Sequence, residues 1–384
     1  MVKFLLSDIL YGVTMKKFLM TVALVLTTTM LFSACSCAGC NTESKITGYS
    51  YWHKGKTYSS TFSETATYKV TYKDDYKVTT GGVTYDYTKT NQPANVKSTY
   101  GEGSYVVTVN AIAKNELPDV AQNSDTSVTE FYKLTTNLTL PVSYEFNSGS
   151  KYDFVDNTVS EVYFESMGTS LRPLYSKKVY DTTYFSNNET ILRSAYTTEI
   201  KWADKAELTI TDNSTEKTEY AVKENEYGFT PVENDTFKVK YTKGCVLDNE
   251  QLLFAIRAFT LSSEFNSTVK VFDTAYKNQL TSISIKSSEP APVTDVWTLN
   301  LNGTEEQKTS TSTFLTTVVR NNTKLSGSPL ICYYQIIKYD GEEEGVVADE
   351  SGRSRLIKMV TRLPFNAGSY GALDYTLTSV VVND

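Results

Sequence analysis

The chain has 384 residues, a formal net charge of −7 and a single histidine, His53. Its acidic balance argues against nucleic acid and against electrostatic adhesion to anionic lipid, and one histidine removes His-based triads and polyhistidine metal sites. The 28 tyrosines and the frequent threonines favour pleated, half-buried surfaces, in a chain long enough to bury a sizeable core.

Lys16 and Lys17 form a positive n-region, Phe18 to Phe32 an apolar run, and Ser33 and Ala34 a small-residue site before Cys35. This is the layout of an export signal, too short for a spanning helix. Met15-Lys16-Lys17 gives a better initiator context than Met1. The expected organisation is a signal over 1–34, a tether over 35–60 and an antiparallel β domain over 61–384, as one body or two subdomains. The stretch Leu31-Phe32-Ser33-Ala34-Cys35 resembles a bacterial lipobox, with Phe32 where the motif usually has Leu. The resemblance implies that Cys35 is the lipidation site of a cell-envelope lipoprotein, exported and membrane-anchored on the outer face of a bacterial membrane. Two acyl chains of the palmitate type on one residue satisfy the two-signal requirement for stable anchoring.

Four further cysteines follow. Cys37 and Cys40 form a C-x-x-C in the tether, where neither a βα turn nor a second cysteine pair supplies a redox or metal frame. Cys245 and Cys332 are candidates for a disulfide in an oxidising compartment, provided their Cα atoms come close enough.

From Ala66 the alternation is clean: Ala66, Tyr68, Val70 and Tyr72 face one way, Thr67, Lys69, Thr71 and Lys73 the other. Gly81-Gly82 between Tyr76–Thr80 and Val83–Thr88 signals a two-residue hairpin. Tyr105 to Ala111 marks another strand, 112–127 a loop, and Leu134 to Phe146 the longest alternating run, where Pro141 demands a bend, a bulge or an edge. Further strands are expected at 159–166, 171–180, 190–202, 206–211, 236–242, 268–273, 280–286, 297–301, 313–320, 330–338, 354–362 and 373–382. No period of 20–50 residues repeats, which disfavours a propeller or solenoid.

The pattern breaks once. Asp248 with Gln251 resembles a capping box, and Leu252, Leu253, Phe254, Ala255, Ile256, Ala258 and Phe259 make the segment apolar on nearly all sides. The spacing predicts a buried helix of about three turns over 249–260, with Arg257 either pointing outward or paired with a carboxylate elsewhere.

Glu64 to Tyr72 has the form E-x-x-x-Y-x-V-x-Y. Val162 to Ser166 with Leu171-Arg172-Pro173-Leu174-Tyr175 forms a strand pair, and Asp248 to Leu261 a D-x-x-x-L-x-x-x-x-R helix leading into a strand. With Arg355 to Met359 and Leu363-Pro364-Phe365, the pattern is similar to a family of exported bacterial β proteins of unknown function, whose architecture resembles the curled half-barrels of lipoprotein-carrier proteins. The resemblance implies a fold class and carries over no catalytic residue.

Chemistry-bearing patterns are weak. Ser267-x-x-Lys270 and Lys308-Thr309-Ser310 loosely match penicillin-binding enzymes, but Thr211-Asp212-Asn213 precedes both, and Ser267 starts a strand where the nucleophile should open a helix. Asp340 with Glu342, Glu343 and Glu344 lacks the interspersed turn residues of a calcium loop and reads as a solvated hairpin tip. Asn188-Glu189-Thr190 and Asn266-Ser267-Thr268 are sequons whose modification belongs to a eukaryotic secretory context.

The expected fold is therefore mainly β: a large curled antiparallel sheet, a half-barrel or open barrel, with one buried helix near 249–260. The expected function is non-catalytic, with no metal or cofactor: a cleft between helix and sheet, beside Leu253, Ile256 and Phe259, holding an apolar ligand or another envelope component. The alternatives are a surface structural or adhesion module, and a hydrolase with dispersed carboxylates.

Overall fold

The computed structural model of the protein describes residues 59–89, 96–121, 128–166, 171–185, 191–213, 235–259, 261–273, 279–320, 329–336, 354–365 and 368–383. The signal, Cys35, Cys37, Cys40, His53, Asn188 and the acidic run at 340–344 lie outside these described residues. The N-terminal half forms β1 (Ser63–Lys73), β2 (Lys77–Thr80), β3 (Val83–Asp86), β4 (Val96–Tyr100), β5 (Gly103–Ile112), β6 (Glu130–Phe146), β7 (Lys151–Ser166), β8 (Leu171–Phe185), β9 (Ile191–Trp202), β10 (Lys205–Asp212) and β11 (Asp235–Lys240). The C-terminal half forms β12 (Val246–Asp248), helix α1 (Gln251–Ile256), β13 (Asn266–Asp273), β14 (Gln279–Val293), β15 (Trp297–Leu301) and β16 (Thr304–Lys308). It closes with β17 (Thr311–Arg320), β18 (Leu330–Gln335), β19 (Leu356–Phe365) and β20 (Gly368–Asn383).

β1 shows how the pattern becomes sheet. Glu64, Ala66, Tyr68 and Val70 share one pleat face and are buried, while the residues between them are partly exposed. From β1 the antiparallel ladders run in two directions. One passes through β5, β6, β7, β8, β9 and β10 to β11. The other passes through β20, β19, β18, β17 and β14 to β13, with β12 added in parallel. The β1–β20 pairing is thus the backbone ladder that joins the two halves. β15, hairpinned with β16, lies parallel to the end of β20, and β4 shares an edge of β6 with β5. The fold is mainly β, one large curled sheet with little helix, as expected.

The two far ends of this sheet meet without a ladder. Trp202, Ala206 and Leu208 of β9 and β10 pack with Val246 and Phe272 of β12 and β13, and the Trp202 and Phe272 rings stand edge to face at 5.8 Å. Ser176 and Lys178 of β8 both reach Asp248 of β12. Among the described residues, side chains alone close the curl, so the sheet is not a closed barrel.

Helix α1 lies in the hollow. Leu252, Phe254, Ala255 and Ile256 are buried in one core with Leu134, Val162, Phe164, Val271 and Ile283, and the Phe164 and Phe254 rings are 5.7 Å apart. Burial contributes roughly 1.5–3 kcal/mol for each large apolar side chain, which holds a helix far too short to persist alone. The helix is shorter than the expected three turns, with six α-helical residues. Its ends tighten into i→i+3 turns: Leu252 N–H donates to Asn249 O, and Ala258 and Phe259 N–H donate to Ala255 and Ile256 O. The capping box does not form either. Glu250 is the N-cap and makes no side-chain cap bond. Asp248 belongs to β12, where its Oδ1 accepts the Glu250 N–H and its Oδ2 the Ser176 hydroxyl.

Two irregularities set which residues face inward. Pro141 sits where the edge of β6 passes from β5 to β4, and its carbonyl accepts the Gly101 N–H of the connecting turn, so its missing donor falls in a gap between ladders. In β8 the register shifts beside Leu174. The bulge turns Leu174 and Tyr175 toward a satellite core with Leu117, Ala121 and Phe131, and brings Ser176 and Lys178 inside. The β2–β3 hairpin turns on Gly81 and Gly82, both at positive φ, and with Tyr87 covers Leu315, Ile331 and Val360 on the sheet's outer side.

Candidate functional site

Between α1 and the concave face lies a half-open cavity of about 350 Å³. β5 supplies Tyr105, β6 Thr136 and Leu138, and β7 Thr158; Glu250, Leu252 and Leu253 form the helix side. The far wall is Ile283 of β14, Val318 of β17, Leu330 of β18, Met359, Thr361 and Arg362 of β19, and Tyr375 of β20. Residues from both halves of the chain therefore meet here, held by the β1–β20 ladder. The volume falls at the low end of the roughly 300–1,000 Å³ of small-molecule sites, and an apolar lining with a few convergent polar groups is their usual form.

The polar groups are ordered by burial. Burial pushes the Tyr105 hydroxyl well above its ordinary value, and the negative charge of Glu250 adds to the rise. Burial likewise pushes Tyr375 up to about 12, against the opposing effect of a hydrogen bond with Thr361 and with a further contribution from Glu250. Both phenols are neutral at physiological pH, their rings edge to face at 5.6 Å. Glu250 accepts a hydrogen bond from Asn249 Nδ2 at 3.2 Å on Oε1, and Lys178 Nζ stands 3.8 Å from that same oxygen.

A second cavity of about 30 Å³ shares Tyr105, Thr136, Glu250 and Leu253 with the first and reaches Glu64, Arg257 and Arg355. Arg257, the charge inside the apolar helical segment, points inward. Its Nη1 and Nη2 donate to the Glu64 carboxylate at 2.6 and 3.2 Å, and its Nε donates to the Ser354 carbonyl. Arg355 lies 3.7 Å from the same carboxylate. The pair joins the start of β1 to the end of the helix, and its desolvation is offset by this bidentate geometry. On the other side of the helix Lys178 and Asp248, both fully buried, stand 2.9 Å apart.

Of the three cavity residues expected from sequence, the structure places Leu253 on the walls of both cavities. Ile256 is fully buried in the main core and lines neither. Phe259 packs on Phe265 at 5.2 Å and also lines neither. The α-helix ends at Ile256, so the last turn does not carry that face along the cavity. Glu250, Tyr105, Tyr375 and Met359 were not singled out, although Tyr105 and Tyr375 stand on expected strands. The Cys245–Cys332 disulfide does not form: Cys332 is a free, buried thiol on the inner face of β18. Cys245 is disulfide-bonded, but not to Cys332. Burial pushes the Cys332 thiol well above its ordinary value. Ser267 lies within β13, paired in register with Ile285, and opens no helix. Among the described residues no group of three or more His, Cys, Asp or Glu is placed to hold a metal ion.

No protein-family model matches the chain, and no curated protein matches it. Among solved structures it is similar to a β-barrel-like protein of a domain of unknown function, DUF1849, from Brucella abortus. The likeness spans 84% of this chain and 99% of that one, at 8% sequence identity and a TM-score of 0.41.

Proposed function

We propose that the protein is a lipid-anchored, exported, non-catalytic β protein of the bacterial cell envelope that holds an apolar ligand between α1 and the sheet. The observation that carries this reading is the cavity of about 350 Å³, walled by Leu138, Leu252, Leu253, Ile283, Val318 and Met359. An apolar wall of this extent loses dispersion contacts unless something fills the space beside it. The lipobox-like stretch at Cys35 supports the anchor and the location. Native mass spectrometry of protein extracted from membranes in mild detergent tests both parts. A diacylated N-terminal Cys35 and a co-purifying apolar mass are expected; an unmodified, ligand-free protein overturns the reading.

A second reading, a surface adhesion module, is favoured by the outer face. Tyr152 and Val155 are 48% and 59% exposed, and Val155 borders an open groove with Tyr100, Pro141 and Phe154. Binding to cell-wall glycan in a pull-down, lost on Val155→Ser, would establish it in place of the first.

A further inference from the structure

The cavity wall carries a carboxylate that its neighbours leave incompletely neutralised. Lys178 is the ammonium nearest to both Asp248 and Glu250, and it stands 2.9 Å from the first and 3.8 Å from the second. One positive charge is thus shared by two negative ones. Asp248 is fully buried and further held by Ser176 and a backbone N–H. Glu250, with its side chain 25% exposed, is the member that reaches the cavity. Its Oε1 takes the Asn249 amide; among the described residues no group donates to Oε2. Tyr105 and Tyr375 line the same wall, close enough that the charge of Glu250 adds to the burial-driven rise of both phenols. A carboxylate on an apolar, aromatic-bearing wall recognises an organic cation, chiefly by ion pairing.

We propose that the cavity binds a single-chain amphiphile with a cationic amine head, the ammonium on Glu250 beside the Tyr105–Tyr375 pair and the chain along Leu138, Leu253 and Met359. This rests on the apolar-ligand reading and goes beyond it by naming the head group and the size. At about 30 Å³ per methylene-sized group, the volume a water takes in the liquid, the cavity of about 350 Å³ holds roughly a dozen non-hydrogen atoms. That admits one medium chain. Arg257 is engaged by Glu64 on the smaller cavity, while Arg362 shares the large one, which makes an anionic head the competing outcome.

Isothermal titration of the mature full-length protein with n-decylamine, n-decanol and decanoate at neutral pH tests this. The amine binds at least tenfold more tightly than the alcohol, and decanoate more weakly than either. Glu250→Gln brings the amine to the affinity of the alcohol and leaves the alcohol unchanged. Leu253→Trp, which fills the cavity, removes all three. Equal affinities for the three chains overturn the amine inference and leave the apolar-ligand reading standing. Tightest binding of decanoate overturns it in favour of Arg362. No binding of any chain overturns both. The wild-type ranking decides among these outcomes even where a variant fails to fold.

Discussion

Asp156 lies on the inward face of β7 with Thr158 and Ser160, and its Oδ1 accepts the Thr183 N–H at 2.7 Å and the Thr183 hydroxyl at 2.8 Å. Burial raises its pKa from 3.8 to about 6, with Asp181 adding to the rise and Arg193 and the Thr183 bonds opposing it. Arg193 is itself held bidentately by Asp181, both contacts at 2.5 Å, and so does little for Asp156. The folded protein therefore binds a proton that the unfolded chain has already released between about pH 4 and pH 6. Stability from this group is greatest below pH 4, falls through that window and is level above it. At ~1.4 kcal/mol per pH unit, a rise from 3.8 to about 6 corresponds to about 3 kcal/mol lost at pH 7.5. Asp156→Asn keeps the acceptor oxygen and removes the charge. In urea denaturation the variant should exceed the wild type by up to about 3 kcal/mol at pH 7.5 and match it at pH 4. A wild-type minus variant difference that does not change between those pH values refutes the burial argument.

Three other outcomes follow from named contacts. Lys178→Met strands the buried Asp248 carboxylate and should cost about 3–5 kcal/mol in chemical unfolding, part of it restored by adding Asp248→Asn; a loss below about 1 kcal/mol would mean the pair does not close the curl. Gly371 has φ +98°, and a Cβ there would collide with the Lys73 carbonyl across the β1–β20 ladder. Gly371→Ala should therefore lower stability by about 1–3 kcal/mol, whereas Gly303→Ala, in a turn with open space around it, should cost less. Cys332 is inaccessible and its thiolate is suppressed by burial; maleimide should leave it unlabelled in the native protein and label it in urea, as read by peptide mass spectrometry. Rapid native labelling would show that β18 opens.

Much of the sheet was legible because its strands obey the simplest rule. Ala66, Tyr68 and Val70 alternate with polar residues and point inward as read, and Gly81-Gly82 marks its own turn. The same rule extended two residues back puts Glu64 on the inner face, which makes it the carboxylate that Arg257 needed, 193 positions away. β8 was not legible in this way. Alternation alone would send Val179 inward and Lys178 to solvent, but the register shift at Leu174 inverts both: Val179 is 38% exposed and Lys178 1%. A bulge of one residue leaves no compositional trace, so the buried Lys178–Asp248 pair and its link to Glu250 were hidden. The helix was found by composition, but its length was not. Its turns tighten at both ends, and the face on the large cavity begins at Asn249 and stops at Leu253. The Cys245–Cys332 expectation failed because cysteine count carries no geometry.

Strand β20 has three partners, β1, β19 and β15, and through it the two halves of the sheet are joined. Without Gly368–Asn383, the described residues of 63–240 and of 246–365 form two half-shells with no backbone pairing between them, each exposing the surface that becomes the hollow. Assembly of the sheet consequently depends on very distant pairings and a slow search. A nascent polypeptide arrested before residue 368 should be open to protease throughout and become resistant in one step once the last strand is supplied.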